Sequence, residues 1–138
     1  MPNIGTVLGM MHYPRHALVP FGNRTLYLDG SQSHWSRRRL KQLFDWASTP
    51  GRKLLITEGQ SEPWETVTVP TNPASQGLAS CLPEHLVANY NACMGWFGQK
   101  APLYAYLFWG AEYWLLRKKG GDLSYLRAFE RVLEKAGG

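Results

Sequence analysis

The chain has 138 residues, 44% of them hydrophobic, and 15 basic against 10 acidic residues give it a formal charge of +5. That length suits one domain with a real core, and the absence of a short fixed repeat or a low-complexity stretch sets repeat arrays and biased linkers aside. The one dense basic run, Arg37, Arg38 and Arg39 with Lys41, falls on a helical pattern marked by Leu40, Leu43 and Phe44, so it reads as a solvated outer face and no nucleic-acid partner is expected.

The first segment, IGTVLGMMHY from Ile4 to Tyr13, is short, apolar and bounded by Pro2 and Pro14, which predicts a buried strand near 4–13. From His16 to Ser33 the turn formers Pro20, Gly22, Asn23, Asp29 and Gly30 predict a long loop. A helix is expected near 35–47, capped by Ser33 or Ser36, with Leu40, Leu43, Phe44 and Ala47 at helical spacing and Thr49-Pro50-Gly51 as its stop. The run Leu54-Leu55-Ile56 predicts a strand near 53–58 buried on both faces, with polarity beginning at Thr57 and Glu58.

Pro63, Pro70, Pro73 and Gly77 predict a second long loop between Gly59 and Cys81. Pro83 then opens a helix near 83–97 whose apolar positions are Leu86, Tyr90, Cys93 or Met94, and Phe97. A third buried strand is expected near 102–109 in LYAYLFW. A last helix, near 123–136, has Asp122 as its cap and Leu126, Phe129, Val132, Leu133 and Ala136 as its buried stripe. Strand and helix thus alternate three times, the pattern of an α/β fold with parallel strands.

Cys81 and Cys93 stand far apart, outside any metal-binding spacing, and read as buried free thiols, so neither a metal nor another cofactor is expected. The N-terminus lacks the layout of a signal peptide, and the longest apolar run, Ala101 to Leu116, is interrupted by Gly110 and Glu112. The expectation is a chain without a membrane partner, cytoplasmic by default. No phosphate-binding glycine loop, dinucleotide fingerprint or nucleophile elbow occurs, and His12, His16, His34 and His85 lack the spacing of a metalloprotease helix.

In parallel α/β folds the chemistry lies at the carboxyl ends of the strands. That singles out His12 and Tyr13 after the first strand, Glu58 with Gln60, Glu62 and Trp64 after the second, and Trp109 with Glu112 after the third. A carboxylate at the tip of an apolar strand is expensive to bury unless something uses it, which makes Glu58 the first candidate. The plainer alternative is a solvent-facing residue paired with a nearby cation. Glycoside hydrolysis would use such a carboxylate together with a second one and with aromatic rings to stack on sugar, for which Trp64, Trp109, Tyr113 and Trp114 are available.

LLITEGQSEPW, followed at a distance by LYAYLFWGAEYW, resembles the seventh and eighth strands of cellulase-like retaining glycoside hydrolases with (β/α)8 barrels. The resemblance implies a single partial TIM barrel over 1–138, made of strands six to eight. It implies Glu58 as the nucleophile, Tyr13 in GMMHYPRH as the tyrosine that hydrogen-bonds it, and Trp109 as the floor of the sugar site. Gln60, Glu62, Trp64 and Glu112 would contact an oligosaccharide or polysaccharide. The family's acid/base is a Glu after an Asn at the end of strand four. No Asn-Glu dipeptide occurs here, and a whole barrel takes about 250 residues, so the resemblance implies a C-terminal fragment inactive alone and completed by a complementary barrel half. Two other readings of the same residues are a non-catalytic carbohydrate-binding module and a self-associating scaffold.

Overall fold

The computed structural model describes residues 5–21, 24–30, 34–63, 80–97 and 103–137. In chain order these form β1 (Val7–His12), β2 (Arg15–Phe21), β3 (Arg24–Asp29), α1 (His34–Ala47), β4 (Lys53–Gln60), α2 (Pro83–Phe97), β5 (Leu103–Trp109), α3 (Ala111–Lys119) and α4 (Ser124–Gly137). Among the described residues β1, β4 and β5 make a parallel sheet in that spatial order, and β2 and β3 make an antiparallel pair. The fold is therefore mixed α/β, with each strand of the parallel sheet lying beside the next one in sequence.

One face of the parallel sheet is covered. Phe44 and Ala47 of α1, Leu54 and Ile56 of β4, and Cys93 of α2 form one apolar cluster, with Leu8, Met10, Leu103 and Tyr106 against it. A second cluster joins Cys81 and Leu86 to Trp114 of α3 and to Tyr125 and Ala128 of α4, with Phe108 supplying the sheet side. Burial of this apolar surface, at roughly 25 cal/mol per Å², is what holds the helices onto the sheet. The opposite face presents Val7, Met11, Tyr104, Leu107 and Trp109 to solvent. Neither cysteine is in a disulfide, and both are buried.

Sequence and structure part in three places. The segment expected to be a loop from His16 to Ser33 contains the hairpin β2–β3, with Arg15 opposite Asp29 and Phe21 opposite Arg24. Between Trp109 and the last helix stands the unexpected helix α3, whose first turn holds the Glu112 that had been read only as a break in an apolar run. In α4 the buried residues are Tyr125, Ala128 and Val132, while Leu133 and Ala136 face solvent, because α4 packs against α2 and α3 along a stripe turned from the expected one. On α1, Arg38, Arg39 and Lys41 are exposed, and Lys41 pairs with Asp45 at 2.9 Å, one helical turn away.

The turn from α3 to α4 is tied by charge. Asp122 Oδ2 accepts from Arg117 Nε at 2.8 Å and from Arg117 Nη2, while Oδ1 accepts from the Ser124 backbone N–H at 2.8 Å and so covers the first turn of α4. Burial acts against the ionised Asp122, but the bonds from Ser124 and Arg117 outweigh it and hold the carboxyl below its ordinary range. The Arg117 side chain is only 7% exposed, so losing Asp122 takes away the carboxylate that balances its buried charge. Asp122→Ala is expected to destabilise the fold by about 2 kcal/mol in urea unfolding at pH 7. A carboxyl depressed in the folded state contributes stability above its unfolded value and loses it as pH falls through the folded value, so the gap between variant and wild type should close in strong acid.

Candidate active site

β4 carries one more residue than either neighbour at its carboxyl end. Met10 faces Ile56, but Met11 faces Glu58, and on the other side Tyr106 faces Ile56 while Phe108 faces Gly59. The additional residue is a β-bulge at Thr57 and Glu58. Leu54 and Ile56 are buried under the helices, and strict alternation would send Glu58 the same way. The bulge shifts the phase, so Thr57 is exposed and Glu58 half-buried, while Gly59 takes the inward position. Thr57 Oγ1 secures the distortion by donating to the Met10 carbonyl at 3.2 Å.

Turned this way, Glu58 Oε2 accepts a hydrogen bond from the Tyr13 hydroxyl at 2.6 Å. Burial, then the bond to Glu58, then the charges of Glu58 and Glu62 all favour the neutral phenol, which therefore stays a donor through the physiological range. Tyr13 follows β1 directly and Glu58 lies near the end of β4, so the pair joins two adjacent parallel strands at their carboxyl edge.

Trp109 ends β5, about half exposed, with Glu62 close to it. Its backbone carbonyl accepts from the Ser61 hydroxyl, and the Ser61 carbonyl accepts in turn from Trp114 Nε1 at 2.7 Å. Glu112, exposed in the first turn of α3, repels Glu62. Burial and that repulsion raise the Glu62 carboxyl above its ordinary range, with the polar edge of Trp109 acting the other way. Tyr13, Glu58, Glu62, Trp109 and Glu112 thus lie together at one end of the sheet.

Gln60 is placed differently. It is 1% exposed, its Oε1 accepts from the Arg15 backbone N–H at 3.2 Å, and its carbonyl accepts from Asn89 Nδ2 at 3.3 Å. It is a strut between β4, the start of β2 and α2. Trp64 lies outside the described residues.

His12, singled out in the sequence with Tyr13, supports this edge together with Tyr106, which sequence reasoning passed over. His12 Nδ1 and the Tyr106 hydroxyl share a hydrogen bond of 2.8 Å, and burial pushes the His12 pKa down to about 4. A histidine held neutral this way costs stability as pH falls from its unfolded value of about 6.5 toward 4, because the unfolded chain binds the proton first. The unfolding free energy should therefore drop across that window, and His12→Gln should flatten the drop when urea midpoints are compared at pH 7 and pH 5. The signal available in sequence was a histidine and a tyrosine at matching heights on two apolar strands, which only the pairing of both strands with β4 turns into a contact.

Chemically, the edge offers an accessible carboxylate fixed by a phenol, an aromatic surface beside a second carboxylate, and no group of three or more His, Cys, Asp or Glu placed to hold a metal among the described residues. No described helix is long and apolar enough to cross a membrane. Comparison with protein-family models, curated proteins and solved structures finds no match to this chain.

Proposed function

We propose that the chain carries the nucleophile side of a retaining glycoside hydrolase, as strands six to eight of a cellulase-like (β/α)8 barrel. The observation that carries this reading is the hydrogen bond of 2.6 Å from Tyr13 to Glu58 across the carboxyl edge of a parallel sheet. Glu58 attacks the anomeric carbon, Tyr13 orients it, and Trp109 on the adjacent strand supports the ring being cleaved. The acid/base carboxylate, about 5 to 5.5 Å away in retaining enzymes, comes from a complementary barrel half. Two observations support that partner: the outer edges of β1 and β5 are unpaired among the described residues, and the uncovered sheet face between them is largely apolar. The same open edges favour self-association as a second reading, and light scattering on the purified chain separates a monomer from a dimer.

The test is covalent trapping. A 2-deoxy-2-fluoro glycoside with a dinitrophenolate leaving group needs no proton from an acid to leave, so the nucleophile can be read without the acid/base half. Incubation with gluco, manno, xylo and galacto forms should add one fluorosugar to a peptide containing Glu58, detected by mass spectrometry. A folded chain that acquires no label from any of them overturns the reading.

A further inference from the structure

The strand ladder is irregular on both sides of the bulge. Register shifts fall between Met10 and Met11 of β1 and between Ile56 and Gly59 of β4, so backbone pairing constrains Glu58 less than a regular ladder would. A side chain ties the strands at this level instead. His12 ends β1 and stands opposite Gly59, and Gly59 stands opposite Phe108 of β5 on its other side. Tyr106, two residues before Phe108, lays its ring on the bare backbone of Gly59 and brings its hydroxyl to His12 Nδ1 at 2.8 Å. One residue therefore reaches from β5 across β4 to β1. The crossing exists because position 59 carries no side chain, as a Cβ there would stand 2.1 Å from Tyr106 Cε1.

Packing holds this strap in place. Tyr90 of α2 meets the Tyr106 ring at a centroid distance of 5.7 Å and Phe108 meets it at 4.7 Å, while the His12 ring stands at 89° to it. His12 immediately precedes Tyr13, and Gly59 immediately follows Glu58. We propose that Tyr106 and His12 are positioning residues, whose bond across Gly59 sets the spacing of the β1 and β4 tips and so keeps the Tyr13 hydroxyl within reach of Glu58. The bond from Tyr13 is 2.6 Å long, and hydrogen bonds weaken steeply as distance and angle depart from their preferred values. A misplacement on the order of 1 Å can cost about 100-fold in rate at a reacting centre. For its effect on chemistry the inference rests on the reading of Glu58 as the nucleophile, while the geometry beneath it can be read without a substrate.

The first readout is NMR of the chain isotope-labelled at the tyrosine Cζ carbon. Tyr13→Phe identifies the Tyr13 signal, and Glu58→Ala gives its position once the bond is lost. Tyr106→Phe keeps the ring and its packing but removes the hydroxyl, and it should move the Tyr13 signal toward the Glu58→Ala position. His12→Leu should move it the same way, and His12→Asn, which keeps a polar atom near the place of Nδ1, should return it. Tyr125→Phe is the control, since it removes a buried hydroxyl bond of 2.8 Å to the Cys81 carbonyl in the other apolar cluster. It should leave the Tyr13 signal where it is. A signal unmoved in Tyr106→Phe, moved as far by Tyr125→Phe, or displaced equally in His12→Leu and His12→Asn overturns the proposal.

The second readout uses the fluoroglycoside that labels the wild type. Tyr106→Phe should lower the limiting rate of labelling by about 10-fold while changing the concentration for half-maximal labelling by less than about 3-fold. A limiting rate equal to that of the wild type, or an equal loss in Tyr125→Phe, overturns the positioning role. If no fluoroglycoside labels the wild type, the hydrolase reading fails, and the NMR experiment still decides whether the strap holds Tyr13 on Glu58.

Discussion

Glu58→Gln should abolish fluoroglycoside labelling, a loss on the order of 10,000-fold or more in trapping rate, while leaving the thermal midpoint almost unchanged. The two parts of this expectation have separate causes. Gln has the size of Glu, and its amide oxygen can accept the bond that Tyr13 now gives to Glu58 at 2.6 Å, so the tie between β1 and β4 survives. An amide oxygen is a poor nucleophile toward an anomeric carbon, so the covalent step does not survive. The variant therefore separates chemistry from architecture at one atom. Labelling that continued at another carboxylate would move the nucleophile away from Glu58, and a collapse of the thermal midpoint would show that the carboxylate serves the fold.

Gly59→Ala should destabilise the chain by about 3 kcal/mol and lower its thermal midpoint by about 10 °C. A methyl group at this position would lie 2.1 Å from Tyr106 Cε1, 2.6 Å from Cζ and 2.7 Å from the hydroxyl oxygen. The ring has little room to retreat. Its hydroxyl is bonded to His12, and Tyr90 and Phe108 pack on it at centroid distances of 5.7 and 4.7 Å. Either β4 moves outward, taking Glu58 with it, or the aromatic group repacks, and both routes cost energy in a dense interior. Gly9 makes the contrast. A methyl group there meets Thr57 Cγ2 at 2.7 Å, but Thr57 is exposed and can rotate away at the cost of only its bond to the Met10 carbonyl, so Gly9→Ala should cost less, about 1 kcal/mol. Combining Gly59→Ala with Tyr106→Leu should cost less than the sum of the two changes, since the second removes the ring that the first collides with. Additive losses in urea unfolding would place the strain elsewhere.

The strands of the parallel sheet and three of the helices could be read in the sequence because their signals are local. Leu54-Leu55-Ile56 is an apolar run that suits a strand covered by helices, and Pro83 and Asp122 mark helix starts that the structure also has. The hairpin was missed because Pro20, Gly22 and Asn23 were read as loop punctuation, although Gly-Asn between two extended runs is also a hairpin signal. Helix α3 was missed because Gly110 and Glu112 were read only as breaks in an apolar run and not as the start of a helix. Its charge pattern was available, with Glu112 in the first turn, Arg117, Lys118 and Lys119 in the last, and Gly120 beyond. At the site, position in the chain pointed to Glu58 and Trp109, but the burial of Gln60 depends on tertiary contacts that no local pattern encodes.

The bulge in β4 carries a consequence for how this sequence can change. Glu58 owes its orientation to the count of residues between Ile56 and Gly59 rather than to the identity of any one of them. Many substitutions at Thr57 would leave that count intact, and with it the direction of the carboxylate. Loss of the Thr57 codon would make the ladder regular and set the glutamate directly after the inward-facing Ile56, on the exposed face that Thr57 now occupies, which changes the direction from which it meets Tyr13. The site is thus robust to exchanges of letters in this stretch and fragile to a change of one in its length.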